Sequence, residues 1–172
     1  MPMAFIRFPS PVGELLLTAS ETALTSVHFS PFTVGPGWTE NDRHPLLVRA
    51  GEQLAAYFAG TLTAFDLPLE AEGSTFERRV WDLLATIPYG STTSYGALAR
   101  RLGDVKATRA VGAANGKNPI PIIVPCHRVV GGRGDLTGFG GGLDRKRWLL
   151  EHEGALLALG CSARSEGPAL PG

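Results

Sequence analysis

A change of apolar period part-way along the chain constrains its fold more than any other feature. Three short runs, Phe5-Ile6-Arg7-Phe8, Leu15-Leu16-Leu17-Thr18 and Leu24-Thr25-Ser26-Val27-His28-Phe29, are too brief for helices and suit strands. Pro11-Val12-Gly13 and Ser20-Glu21-Thr22 supply turns between them, which predicts an antiparallel meander. Residues 30–43 read as loop. Pro45 then opens a helix with Leu47, Ala50, Leu54, Tyr57 and Phe58 on one face and Gly60 as its stop. Beyond a linker at 68–73, helical spacing takes over. Ser74 and Glu77 make a capping box before a stripe of Phe76, Val80, Trp81, Leu84 and Ile87, ended by Pro88-Tyr89-Gly90. Ser94 caps a helix over 95–102, Gly103 turns the chain, and 107–114 forms a second short helix carrying Arg109. A last helix over 143–153 packs through Trp148, Leu149 and Leu143 and stops at Gly154.

The expected architecture is therefore α+β or α/β in two domains: an α/β domain at 1–73, a helical domain at 74–155, and a tail at 156–172 that frays from Cys161 on. Two short helices joined by a glycine turn, with basic flanks, fit a helix-turn-helix or an ordinary αα-hairpin, and spacing alone leaves both open. The small residues Ala110-Val111-Gly112-Ala113-Ala114 give the second helix little to bury and favour close approach of its backbone to something.

Charge divides with the architecture. Residues 1–75 carry 3 Lys+Arg against 8 Asp+Glu, a balance of −5, whereas residues 76–153 carry 12 against 7, a balance of +5. A basic half beside an acidic one points to a polyanionic partner, though charge also serves solubility. The two cysteines, Cys126 and Cys161, imply no disulfide framework and fit a reducing cytoplasm. No apolar run is long enough for a membrane span, no signal peptide is evident, and the histidines lack zinc-site spacing.

The chemistry concentrates at Asn118-Pro119-Ile120-Pro121-Ile122-Ile123-Val124-Pro125-Cys126-His127-Arg128-Val129-Val130. Read as a proline-punctuated apolar strand, it delivers a thiol at its tip with an imidazole and a guanidinium directly behind. A lone buried cysteine is commonly only a small hydrophobe. Here the adjacent cation and base favour a nucleophile, with His127 taking the thiol proton directly or through a water. Adjacent residues of an extended segment face opposite ways, so direct contact between them requires a turn or a bridging water. Glu153, in the last turn of a helix, opposes the macrodipole, which a wet surface tolerates and a bound cation such as the His127 imidazolium would explain. Cys126, His127 and Glu153 then form a nucleophile–base–orienter set, with His152 a rival partner. Asn118 reads as the brace of a tight turn, and Arg109 as a solvated cation or one that reaches nucleic acid. Residues 131–142 contain seven glycines without a phosphate-binding pattern and read as a mobile loop lining a site.

Pro125-Cys126-His127-Arg128-Val129, with Asn118-Pro119 before it and Gly140-Gly141-Gly142 and Trp148-Leu149-Leu150-Glu151-His152-Glu153-Gly154 after it, resembles the O6-alkylguanine-DNA alkyltransferases over residues 75–154. The N-terminal half resembles them only in its layout, a ribonuclease-H-like sheet. The resemblance implies a helix-turn-helix that binds the minor groove of double-stranded DNA as a monomer and flips the damaged base. It implies irreversible transfer of an alkyl group from O6-alkylguanine, and from O4-alkylthymine as a further substrate, to Cys126, once per molecule. Cys126, His127, Glu153 and Asn118 take the catalytic positions. Arg109, Tyr95, Ser94, Thr108, Ala107, Gly112, Ala113 and Arg128 fall on the DNA-facing ones. Phe139, Gly140, Gly141, Lys146 and Val129 border the pocket. Phe139 stands where many members have tyrosine, removing a hydroxyl donor. The zinc held by some members finds no cysteine in this N-terminal half, so action without a cofactor is expected. Lesion-binding relatives that do not transfer lack the cysteine present here, and a cysteine hydrolase would need an oxyanion hole and turnover.

Overall fold

Leu15, Leu16 and Leu17 have no solvent exposure, which makes their strand the centre of the first sheet rather than an edge. In the computed structural model, which describes residues 3–156, the strands β1 (Ala4–Phe8), β2 (Leu15–Ala19) and β3 (Leu24–Phe29) form the expected antiparallel meander. A two-residue strand, β4 (Thr39–Glu40), lies within the span read as loop. It pairs in parallel with β1, giving the order β3-β2-β1-β4. Helix α1 (Pro45–Phe58) packs on this sheet through Leu47, Ala50, Leu54 and Tyr57, all fully buried. Its N-cap is His44, whose Nδ1 accepts the Leu46 N–H at 3.2 Å while Nε2 meets the Ser20 carbonyl at 2.9 Å.

Among the described residues the chain separates into two compact units, one ending at Glu72 and the other starting at Gly73. The second unit holds α2 (Thr75–Leu84), β5 (Thr93–Ser94), α3 (Tyr95–Arg101), α4 (Thr108–Gly116), β6 (Val129–Val130) and α5 (Leu143–His152). The Ser74–Glu77 capping box is present in both directions, at 2.9 and 3.1 Å. Ser94 accepts the Ala97 N–H at 3.0 Å and starts α3, and Gly103 turns the chain at φ +87°. The second short helix starts one residue later than expected. A 3-10 turn at Val105–Ala107, capped by Asp104, precedes α4 and takes up Ala107. Trp81 ties α2 to α4 by donating Nε1–H to the Ala114 carbonyl at 2.8 Å.

Two further expectations are corrected here. The run before Cys126 is not a strand: Pro119, Pro121 and Pro125 remove three backbone donors that a ladder would need, and the segment folds into a compact buried turn. Ile122 enters it at φ +73°, an uncommon state for a β-branched residue, while Val124 N–H reaches the Ile120 carbonyl at 2.9 Å. Leu143, expected to pack, is 45% exposed, and Lys146, Leu149 and Leu150 form the buried face of α5 instead. No helix among the described residues is long and apolar enough to cross a membrane. The predicted tail with Cys161 lies outside the described residues.

Candidate active site

Cys126, His127 and Arg128 form one 3-10 turn, in which successive side chains project about 120° apart rather than to opposite faces as in an extended strand. The turn runs directly into β6, paired in parallel with β5, so the start of α3 stands beside the residues that follow the thiol. All three side chains are buried, His127 completely.

Glu153 is the C-cap of α5 rather than part of its last turn, and it is buried. Its Oε2 accepts from His127 Nε2 at 2.8 Å. Arg128 then grips the same carboxylate as a fork, Nε to Oε1 at 2.8 Å and Nη2 to Oε2 at 3.0 Å, and sends Nη1 to the Ile87 carbonyl at 2.6 Å. Arg128, expected on the DNA-facing side, is therefore buried and committed to Glu153. The rival His152 instead stacks on Trp148, centroids 4.9 Å apart.

This geometry decides the tautomer. A carboxylate only accepts, so Nε2 of His127 carries the hydrogen and Nδ1 presents its lone pair. Nδ1 is buried and has no hydrogen-bond partner among the described residues. Burial lowers the imidazole from its ordinary value of 6.5, against the pull of Glu153, so the resting ring is neutral. Burial would raise the Glu153 carboxyl, yet the hydrogen bonds from His127 and Arg128 hold it at about 2.

The thiol is the opposite case. Burial pushes Cys126 up to about 11, offset in part by a hydrogen bond from the Asn118 side chain and by the Lys146 charge. At rest it is a thiol, and its proton leaves only when something accepts it. Asn118 also holds the turn as expected, donating Nδ2 to the Val124 carbonyl at 2.8 Å and accepting the Ile120 N–H at 3.0 Å.

Lys146 has no exposure, and its ammonium donates to the carbonyls of Val129 at 2.5 Å, Thr137 at 2.6 Å and Gly138 at 3.4 Å. Burial lowers it to about 8, with Cys126 pulling upward. Tyr95 donates its hydroxyl to the same Thr137 carbonyl at 2.8 Å, and its ring lies 5.9 Å from Lys146 Nζ. Residues 137–138 are thus clasped from α3 and α5, and the glycine-rich segment is anchored beside Val129 there. Phe139 next to the clasp is half-buried, while Gly140 is exposed and Gly141 half-exposed. On α4, Arg109, Ala110, Ala113 and Gly116 are exposed and Thr108 and Gly112 half-exposed, with Ala107 half-exposed in the 3-10 turn before it. Ser94 is occupied in capping α3.

Sequence reading missed Arg128 as the counter-charge of Glu153, the carbonyl-gathering role of Lys146 and the buried Asn115. An arginine next to a relay histidine, with an odd carboxylate downstream, was the available signal for the first.

A buried thiol, a neutral imidazole with a free lone pair and a charge-compensated carboxylate form a site able to deprotonate a sulfur as it attacks an electrophilic carbon. Comparison with known proteins agrees on one family. Residues 75–155 match the family model described as 6-O-methylguanine DNA methyltransferase, DNA binding domain, and residues 3–71 match the corresponding ribonuclease-like domain. A methylated-DNA–protein-cysteine methyltransferase of Mycolicibacterium paratuberculosis is 55% identical over 147 residues, covering 84% of this chain and 88% of the relative. One from Methanosarcina acetivorans is 47% identical over 157 residues, 89% of this chain and 99% of its own length. The crystal structure of Mycobacterium tuberculosis OGT in complex with DNA superposes with a TM-score of 0.81 at 48% identity, covering 90% of this chain and 94% of that one.

Proposed function

The chain belongs to the 6-O-methylguanine DNA methyltransferase family, and we propose that it repairs alkylated DNA by carrying the alkyl group away on Cys126. The observation that carries the assignment to Cys126 is the relay behind it: a partnerless Nδ1 on a histidine whose Nε2–H is locked to Glu153.

His127 accepts the thiol proton, directly or through a water, as the sulfur attacks the alkyl carbon of O6-alkylguanine. A C–S bond forms and the C–O bond breaks, with its electron pair left on guanine oxygen. The base is restored by taking up a proton, which the imidazolium supplies. Arg128 keeps Glu153 anionic, and Glu153 steadies the transient imidazolium. Both burial effects oppose a resting thiolate–imidazolium pair, so charge separation belongs to the reaction and not to the idle site. A thioether has no low-barrier route back, so each molecule acts once.

A helix-turn-helix of α3 and α4 delivers the lesion. The exposed small residues of α4 approach the minor groove, and Arg109 occupies the gap left by the flipped base. Phe139 packs against the alkyl group without donating to guanine oxygen, and O4-alkylthymine is a second substrate of the same pocket. The test is incubation with O6-benzylguanine or with duplex DNA containing O6-methylguanine, followed by mass spectrometry. One alkyl group per chain, on Cys126 and absent from Cys126→Ser, is expected. Repeated turnover, or no transfer by a folded sample, overturns the reading.

A further inference from the structure

Asn115 is a buried polar side chain that the relay does not use. It lies in the last turn of α4, is 2% exposed, and donates Nδ2–H to the Cys126 carbonyl at 3.3 Å. That carbonyl also accepts the Val129 N–H that closes the 3-10 turn, so both of its lone pairs are used. The other end of the amide, Oδ1, is buried with no partner among the described residues. Turning the amide over would set oxygen against oxygen, so the donor end must face Cys126.

One long hydrogen bond against one unmet acceptor is a poor arrangement for stability, because a buried unsatisfied group costs more than an ordinary bond returns. An apolar side chain of similar volume would suit this face better, as Val111 and Ala114 beside it already do. The cost falls on a contact with the peptide of the nucleophile itself. Residues that break local rules in this way mark function. The same turn of α4 is also held by Trp81 through the Ala114 carbonyl, so it offers a rigid support to which Cys126 is fastened.

We infer that Asn115 is a positioning residue for alkyl transfer: its amide ties the Cys126 peptide to α4 and so sets where the sulfur stands when the substrate carbon arrives. The inference rests on Cys126 being the alkyl acceptor. Misplacing a reacting atom by about an ångström is enough to slow a reaction about a hundredfold.

The experiment measures single-turnover alkylation of Cys126 in the full chain by mass spectrometry. The substrates are methylated duplex DNA and free O6-benzylguanine, with duplex affinity and thermal unfolding followed in parallel. In Asn115→Leu and Asn115→Met the rate constant at saturating substrate is expected to fall about tenfold or more with both substrates. Duplex affinity should hold, and the unfolding midpoint should hold or rise. Rates within twofold of the parent protein overturn the inference. So does loss of folding in both variants, because it would make the amide a structural necessity. If the parent protein leaves Cys126 unalkylated, the underlying reading fails first and takes the inference with it.

Discussion

Two nitrogens of Arg128 face the two oxygens of Glu153, and this fork sets the ionic state of the whole relay. With its charge compensated the carboxylate stays ionised, and a second buried cation on His127 is disfavoured. Glu153 was legible as a misfit at a helix end. Arg128 was not, because arginine is usually exposed and its partner lies 25 residues away in sequence. Glu153→Gln should therefore do two things. It leaves Arg128 buried without a counter-charge, which should destabilise the fold by about 3–5 kcal/mol. On the proposed mechanism it also removes the group that would stabilise the imidazolium, and the alkyl-transfer rate should fall by about 10²–10⁴ at pH 7, measured by single-turnover kinetics. The acid limb of stability carries a matching signature. The Glu153 carboxyl is held at about 2 against an ordinary 4.5, so the unfolded chain binds its proton first and stability drains away as pH falls across that interval. His127, lowered from 6.5, acts in the same direction at higher pH. Denaturant titrations between pH 5 and pH 2 should show the Glu153 step in the parent protein and lack it in the variant.

Elements reach the site by routes of unequal legibility. Caps, stripes and the glycine turn placed α1, α2 and α3 because each signal is local. Residues 118–125 were misread as a strand because apolar β-branched content outweighed three prolines, and only backbone hydrogen-bond accounting reverses that choice. The pairs β5–β6 and β1–β4 involve two-residue strands, too short to show any period. Helix α4 poses the opposite problem, since its sequence is plain and its purpose is not. Gly112 lies mid-helix with ordinary helical backbone, and a Cβ there would meet the Tyr95 ring at 3.8 and 3.9 Å, normal contact distances. Packing within the protein does not require glycine here. Gly112→Ala should raise stability by about 0.5–1 kcal/mol, the usual helix preference. If the exposed face of α4 meets DNA closely, the same change should weaken duplex binding severalfold, read by fluorescence anisotropy. A stabilised variant with unaltered affinity would count against α4 as the DNA-contacting helix.

On the scale of the molecule the zero net charge conceals two unlike units, and burial leaves most of the contrast on the surface. Arg128, Lys146 and Glu153 are buried. Setting them aside leaves residues 76–153 with 10 basic and 6 acidic side chains, a surface balance of about +4 where a polyanion would feel it. The linker and the change of period are local signals of a division in the chain, whereas which cations are buried was not readable, since burial depends on partners brought together only by folding. Phosphate neutralisation releases counterions, so duplex affinity must fall as salt rises, linearly on logarithmic axes. Arg109, exposed on α4, should contribute directly, and Arg109→Ala should weaken duplex binding severalfold at fixed salt. Arg7→Ala is the matched control: Arg7 belongs to the acidic unit, where it pairs with Glu40 at 3.2 Å, and its loss should leave affinity and salt dependence unchanged. Anisotropy titrations across a salt series separate these outcomes. An affinity indifferent to salt, or equal losses from both substitutions, would remove the basic unit from DNA recognition and leave its charge to solubility alone.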